Sequence, residues 1–253
     1  MAGIFEGVDD MIDESLRVMH IGTTAPHYGH KKAALSLTSK PYAFDALALF
    51  EKMVARMHKN WSDAQDLDPR NPSEENWRWE KKLHISENNL SPEKCCEKAI
   101  AACCGEDWVN QVPTASGLLD GSSEKHCNVD LVHRVAPAEY EFIELKYESG
   151  TPLYAAFEIL KYGLLYVFSR RYAEQLGYSD VSKEILGARM VHLKVVAPLA
   201  YYQRFQMRWL HEETNRALGR LPLDGYRMDF KFEYMGWPTD GDVCSAVANR
   251  KLI

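Results

Sequence analysis

In the stretch EFIELKY, Glu141 to Tyr147, an otherwise apolar run carries a carboxylate and an ammonium two residues apart. Read with a period of two, Phe142, Glu144 and Lys146 point to one face, and Ile143, Leu145 and Tyr147 to the other. Just upstream, CNVDLVHRV reads as a strand with Asn128, Asp130 and Val132 on one face, opposite Val129 and Leu131. APAEY between them reads as a turn, so the two strands make a hairpin in which Asp130 can approach Glu144. Two carboxylates meeting at the end of a sheet repel unless a cation sits between them, and hard oxygen ligands suit Mg2+ or Mn2+. Lys146 lowers the local negative charge and can orient or deprotonate an attacking water. The competing reading is a structural ion pair at the wet end of the sheet, since buried charges are normally paired.

The elements that must position these residues follow from pattern and punctuation. Helices are expected over about residues 5–19 and 43–60, followed by an acidic loop, SDAQDLDPRNPSEEN. WRWEKKLHIS alternates Trp77, Trp79, Leu83 and Ile85 on one face, which predicts a half-buried strand. A helix from about Pro92 to Cys104 has Ser91 as its cap, and NQVPTASGLLDGSSEKH has room for one short strand. After EFIELKY, Thr151 and Pro152 open a long helix that stops at Gly177. ARMVHLKVVA is a strand, YYQRFQMRWLHEETNRAL a helix and YRMDFKFEYMGW a last strand. The order predicts an α/β fold with a central mixed β-sheet flanked by helices. No repeat or linker divides the chain, so residues 1–253 read as one domain.

Asp130 followed by Glu144-Leu145-Lys146 on the next strand resembles the signature of the PD-(D/E)XK nuclease superfamily, the restriction-endonuclease-like fold. NQVPTASGL before it and TPLYAAFEILKYG after it resemble a bacterial branch of that fold. The resemblance implies a core of helix, three-strand meander, helix and strand over roughly residues 91–236, with an N-terminal helical extension over 1–76. It implies magnesium or manganese held by Asp130, Glu144 and the Leu145 carbonyl, with Lys146 as the catalytic lysine. It adds Glu97 as an acid from the first core helix, and Glu158, Lys161 and Tyr162 as polar groups on the second. Val129 stands where the name-giving proline would be, a position that varies widely in the superfamily. Glu-x-Lys alone is weak, since a chain of ordinary composition holds roughly one by chance. A second copy, Glu80-Lys81-Lys82, faces away from the tryptophans and has no upstream Asp strand, so it reads as a solvated face.

The implied activity is metal-dependent hydrolysis of a nucleic-acid phosphodiester, in DNA or RNA. Two rivals stand beside it: an inactive nuclease-fold module that binds nucleic acid or another partner, and a phosphoesterase for small nucleotides. The net charge of −6 argues against a surface coated for nucleic acid, yet residues 189–220 are locally basic. Arg204, Arg208, Arg216 and Arg220 recur at multiples of four on the expected helix, a candidate ridge for phosphates with Tyr201, Tyr202 and Trp209 beside it for stacking. A solvated helix face explains the same spacing. The six cysteines lack zinc spacing and read as small buried or reduced thiols, and His27 and His30 as core or solvated residues. There is no apolar run long enough for a membrane span and no secretory leader, so a cytoplasmic location is expected, with homo-oligomerisation left open.

Overall fold

The computed structural model describes residues 3–18, 29–69, 71–84, 91–119, 127–178, 183–238 and 242–253. His27 and Ile85 lie outside them. Helices α1 (Val8–Leu16), α2 (Gly29–Ala33), α3 (Ala46–Leu67) and α4 (Pro92–Cys103) precede the sheet in the chain. Strands β1 (Trp108–Pro113), β2 (Asn128–Ala136) and β3 (Glu139–Leu145) form an antiparallel meander. Helix α5 (Pro152–Arg171) crosses over to β4 (Met190–Ala197), which pairs parallel to β3. Helices α6 (Leu199–Tyr202) and α7 (Arg208–Leu218) lead to β5 (Arg227–Tyr234), parallel to β4. Helix α8 (Val243–Ala248) and the edge strand β6 (Lys251–Leu252), antiparallel to β5, close the chain. The sheet is mixed, six strands in sequence order, with helices packed on it.

Local chemistry explains the helix starts. Asp45 accepts a hydrogen bond from Ala48 N–H (3.1 Å) to open α3, whose apolar face carries Leu49, Phe50, Met53, Val54 and Met57. Thr151 caps α5 by accepting from Tyr154 N–H (3.3 Å), and Pro152 fills the first position, where no N–H partner is needed. Helix α5 is buried nearly all round, because the sheet lies beneath it and α3 above it. Gly163 permits this: a Cβ there would stand 2.4 Å from Leu193 Cδ1 on β4. The apolar cluster is continuous from Ile4, Ile12 and Met53 through Phe157 and Leu160 to Phe142, Leu193 and Phe230. The N-terminal helices are therefore built into the main core.

Several expectations are corrected. Residues 77–84 form no strand: Trp77 sits in a turn at φ 59°, with its indole N–H donating to Ser169 Oγ (3.0 Å). Instead of a ladder, the Asn110 side chain holds Lys82 by its N–H (2.8 Å) and C=O (2.9 Å). The α-helix after Pro152 ends at Arg171 and passes through turns to Gly177 (φ 66°). There Tyr178 N–H bonds to Ala173 C=O and Gly177 N–H to Glu174 C=O, the pattern of a left-handed helix stop. The single helix expected from Tyr201 is broken at residues 203–207. The Tyr202 hydroxyl, a single donor, lies 2.9 Å from the carbonyls of both Val195 and Glu233, tying α6 to the sheet end before α7 starts. Among the described residues no helix is long and apolar enough to cross a membrane.

Candidate active site

The β2–β3 register pairs Val132 with Phe142 and Leu131 with Ile143, so one step further Asp130 faces Glu144. Phe142 packs under α5, and the pleat carries Glu144 and Lys146 on along the same face. The Lys146 backbone is fixed by its N–H donating to Val196 C=O (3.0 Å), which extends the β3–β4 ladder. Its ammonium lies 2.7 Å from Glu144 Oε1 and 2.8 Å from Glu158 Oε2 on α5. Asp130 Oδ2 accepts from Leu145 N–H (3.2 Å), so Leu145 touches the site through its backbone while its side chain is buried.

Helix α4 supplies the rest. Glu93 in its first turn accepts from Tyr147 N–H (2.9 Å) and Ser149 Oγ–H (2.7 Å), fastening the helix to the end of β3. One residue on, Lys94 Nζ bridges Glu97 Oε2 (2.8 Å) and Asp130 Oδ1 (3.0 Å). The other Glu97 oxygen accepts from Asn110 Nδ2 (3.0 Å). Gln111 Nε2 reaches Glu97 Oε2 (3.0 Å) and Asp130 Oδ1 (3.5 Å) from a backbone held at φ 49°. A non-glycine residue in that region costs on the order of 1 kcal/mol or more, and such strain gathers at working sites.

Four carboxylates, Glu97, Asp130, Glu144 and Glu158, thus share two ammonium groups, Lys94 and Lys146. The surplus of negative charge is visible in the acidities. Burial, then Asp130 and Glu158, push Glu144 well above the usual carboxylate range. Burial and Asp130 push Glu97 up to about 7. Burial alone would lower Lys146, but Glu144 and Glu158 outweigh it and hold the ammonium firmly protonated. Burial first, and then the charge of Glu144, keep the Tyr162 hydroxyl protonated too.

Asp130, Glu144, Lys146, Glu158, Tyr162 and Glu97 therefore converge. Lys161 does not: its ammonium turns to Asp9 on α1 (3.1 Å). Nor do the four arginines form one ridge. Arg204 lies in the break before α7 and Arg220 beyond its end, while Arg208 pairs with Glu212 (2.8 Å) and Arg216 with Glu213. Tyr201, Tyr202 and Trp209 are buried and unavailable for stacking. Of the cysteines only Cys96 is buried, and no disulfide joins the six. His30 is a core residue, its Nδ1 2.6 Å from Asp13. Lys94, Asn110 and Gln111 are site residues that sequence reasoning passed over. Only Lys94 left a signal, three positions before Glu97 on one helix.

Elsewhere, Lys194 and Arg250 neutralise Glu141 and Glu233 on the opposite sheet face beside a cavity of about 440 Å³. That network balances itself, two cations to two carboxylates, and His133 adds a further bond to Glu141 (2.9 Å). A second cavity, of about 610 Å³, lies by Arg134 and Glu184. Neither cavity is lined by the acidic cluster. Comparison with known protein families, with curated proteins and with solved structures finds no match.

Proposed function

We propose that the chain is a divalent-metal-dependent nuclease of the restriction-endonuclease-like fold, hydrolysing phosphodiester bonds in nucleic acid. The order α4, the β1–β2–β3 meander, α5 and then β4 parallel to β3 supports the fold reading. The observation that carries the function is the convergence of Asp130, Glu144 and Lys146 at the end of that meander, with acids from α4 and α5 closing on them.

Among the described residues no three His, Cys, Asp or Glu side chains form a ready metal cage. The donor set still fits magnesium, which takes one or two carboxylates and fills its other positions from water and substrate phosphate. The unbalanced negative charge of the cluster is the second point of fit. Asp130 and Glu144, with the Leu145 carbonyl, would hold the ion. A divalent cation supplies Lewis acidity and charge neutralisation at a phosphoryl group. Lys146 stays an ammonium between its two carboxylates, so its part is to donate a hydrogen bond that orients the water or steadies developing charge, not to take a proton. Glu158 holds that ammonium in place.

A second reading is a binding module without catalysis. It is favoured by one feature, that both lysines already satisfy carboxylates and stabilise the cluster as it stands. Labelled single- and double-stranded DNA and RNA, incubated with magnesium, manganese or chelator, separate the two. Metal-dependent cutting is expected from the wild-type chain. Lys146→Met should lower the rate by about 10²–10⁴-fold while retaining metal binding, with Lys146→Arg as the folding control. Cutting that survives unchanged in Lys146→Met ends the assigned role, and no cutting of any substrate leaves the binding module.

A further inference from the structure

We propose that Lys94 is a built-in counter-ion: it holds the acidic site together without metal and is displaced when a divalent cation binds. The inference rests on the metal-dependent reading of the site and concerns how that site is loaded. Two oxygens, Glu97 Oε2 and Asp130 Oδ1, aim at one spot, because both Lys94 Nζ and Gln111 Nε2 reach the same pair from different elements. That spot is built for positive charge, and the Lys94 ammonium fills it.

The two lysines of the cluster differ in their freedom to leave. The Lys146 side chain is 11 % exposed, wedged between Glu144 and Glu158. The Lys94 side chain is 33 % exposed, whereas the Glu97 side chain beneath it is 2 % exposed. Its backbone is anchored through the neighbouring Glu93, so displacement asks for rotation of a flexible four-carbon stem towards water and release of its two carboxylates, with no movement of the helix. A divalent cation held by the Asp130 carboxylate would compete with the ammonium bonded to it and repel that ammonium. The ammonium is the group with somewhere to go. Without it, Glu97 and Asp130 would face each other uncompensated, which is why the fold keeps a lysine there.

Titration calorimetry with magnesium chloride, and melting in chelator and in magnesium, test this on the full chain, Lys94→Met, Lys94→Gln and Asp130→Asn. Lys94→Met should bind magnesium about tenfold tighter than wild type, since a competing charge is gone. It should also melt lower in chelator and gain more from magnesium. Equal affinity in wild type and Lys94→Met, with binding abolished by Asp130→Asn, overturns the displacement role and leaves the metal site standing. No binding by any chain, or binding indifferent to Asp130→Asn, overturns both. If the methionine variant does not fold, Lys94→Gln decides by the same criteria, since it removes the charge and keeps a hydrogen-bonding side chain.

Discussion

Glu97 is 1 % exposed and, pushed up to about 7 by burial and by Asp130, it makes the metal-free protein sensitive to pH near neutrality. The native state keeps the proton to higher pH than the unfolded chain, where the group titrates near 4.5. Its stabilising part is therefore complete below about 4.5 and lost as pH rises through about 7, a change on the order of 3 kcal/mol. Glu141, held below its ordinary range despite burial by His133, Arg250 and Lys194, has its contribution in place above that window and adds no slope. Glu144, pushed well above its ordinary range by burial, and His192, raised by Asp229 and Glu139, also lose stability with rising pH, so a variant must isolate Glu97. Melting in chelator should fall between about pH 5 and 8, and Glu97→Gln should flatten the part nearest 7; an unchanged slope would show that Glu97 does not titrate there. Asp130, Glu144 and Lys146 were legible by strand alternation, whereas Glu97, Glu158 and Tyr162 came only from the family resemblance, which offered Lys161 equally and was misled there, because that ammonium turns to Asp9. Gln111 was not legible, because its reach depends on a left-handed backbone (φ 49°) inside a strand, which nothing in its neighbours announces.

Helix α5 is the element that brings Glu158 to Lys146, and its distance from the sheet is set at Gly163. A methyl group there would meet Leu193 Cδ1 at 2.4 Å and Cγ at 3.2 Å, within a side chain that is itself fully buried. Gly163→Ala should therefore cost about 1–3 kcal/mol despite the better helix propensity of alanine, read as a lower denaturant midpoint. A variant as stable as wild type, or more so, would mean that α5 sits less tightly on β4. The elements framing the site were readable because caps and stops mark them: Thr151-Pro152 for α5, Pro137-Ala138 for the turn between β2 and β3. The failures have physical causes. The break before α7 contains neither glycine nor proline to announce it; it falls directly after Tyr202, whose hydroxyl is held at the Val195 and Glu233 carbonyls of the sheet. The false strand at Trp77 fails because its indole takes a partner on α5, and a turn delivers it there.

Across the whole molecule, the parts treated in the sequence as an extension and a core share one apolar cluster, and the N-terminal segment packs on α5, the helix that carries Glu158 and Tyr162. Phe5 packs edge-on against Tyr162 (6.0 Å), and Asp9 takes the ammonium of Lys161. Charge is distributed in the same spirit: a chain of net −6 balances its buried carboxylates on the far sheet face and leaves them in surplus at Asp130 and Glu144. On that contrast rests the proposal that a cation binds at this end of the sheet. Anomalous diffraction from a crystal of the full chain soaked in manganese chloride would locate that cation outright. The expected peak lies about 2.0–2.2 Å from carboxylate oxygens of both Asp130 and Glu144, with the Lys94 ammonium withdrawn from Asp130. Manganese bound at another acidic cluster, with Asp130 and Glu144 still held by the two lysines alone, would contradict it.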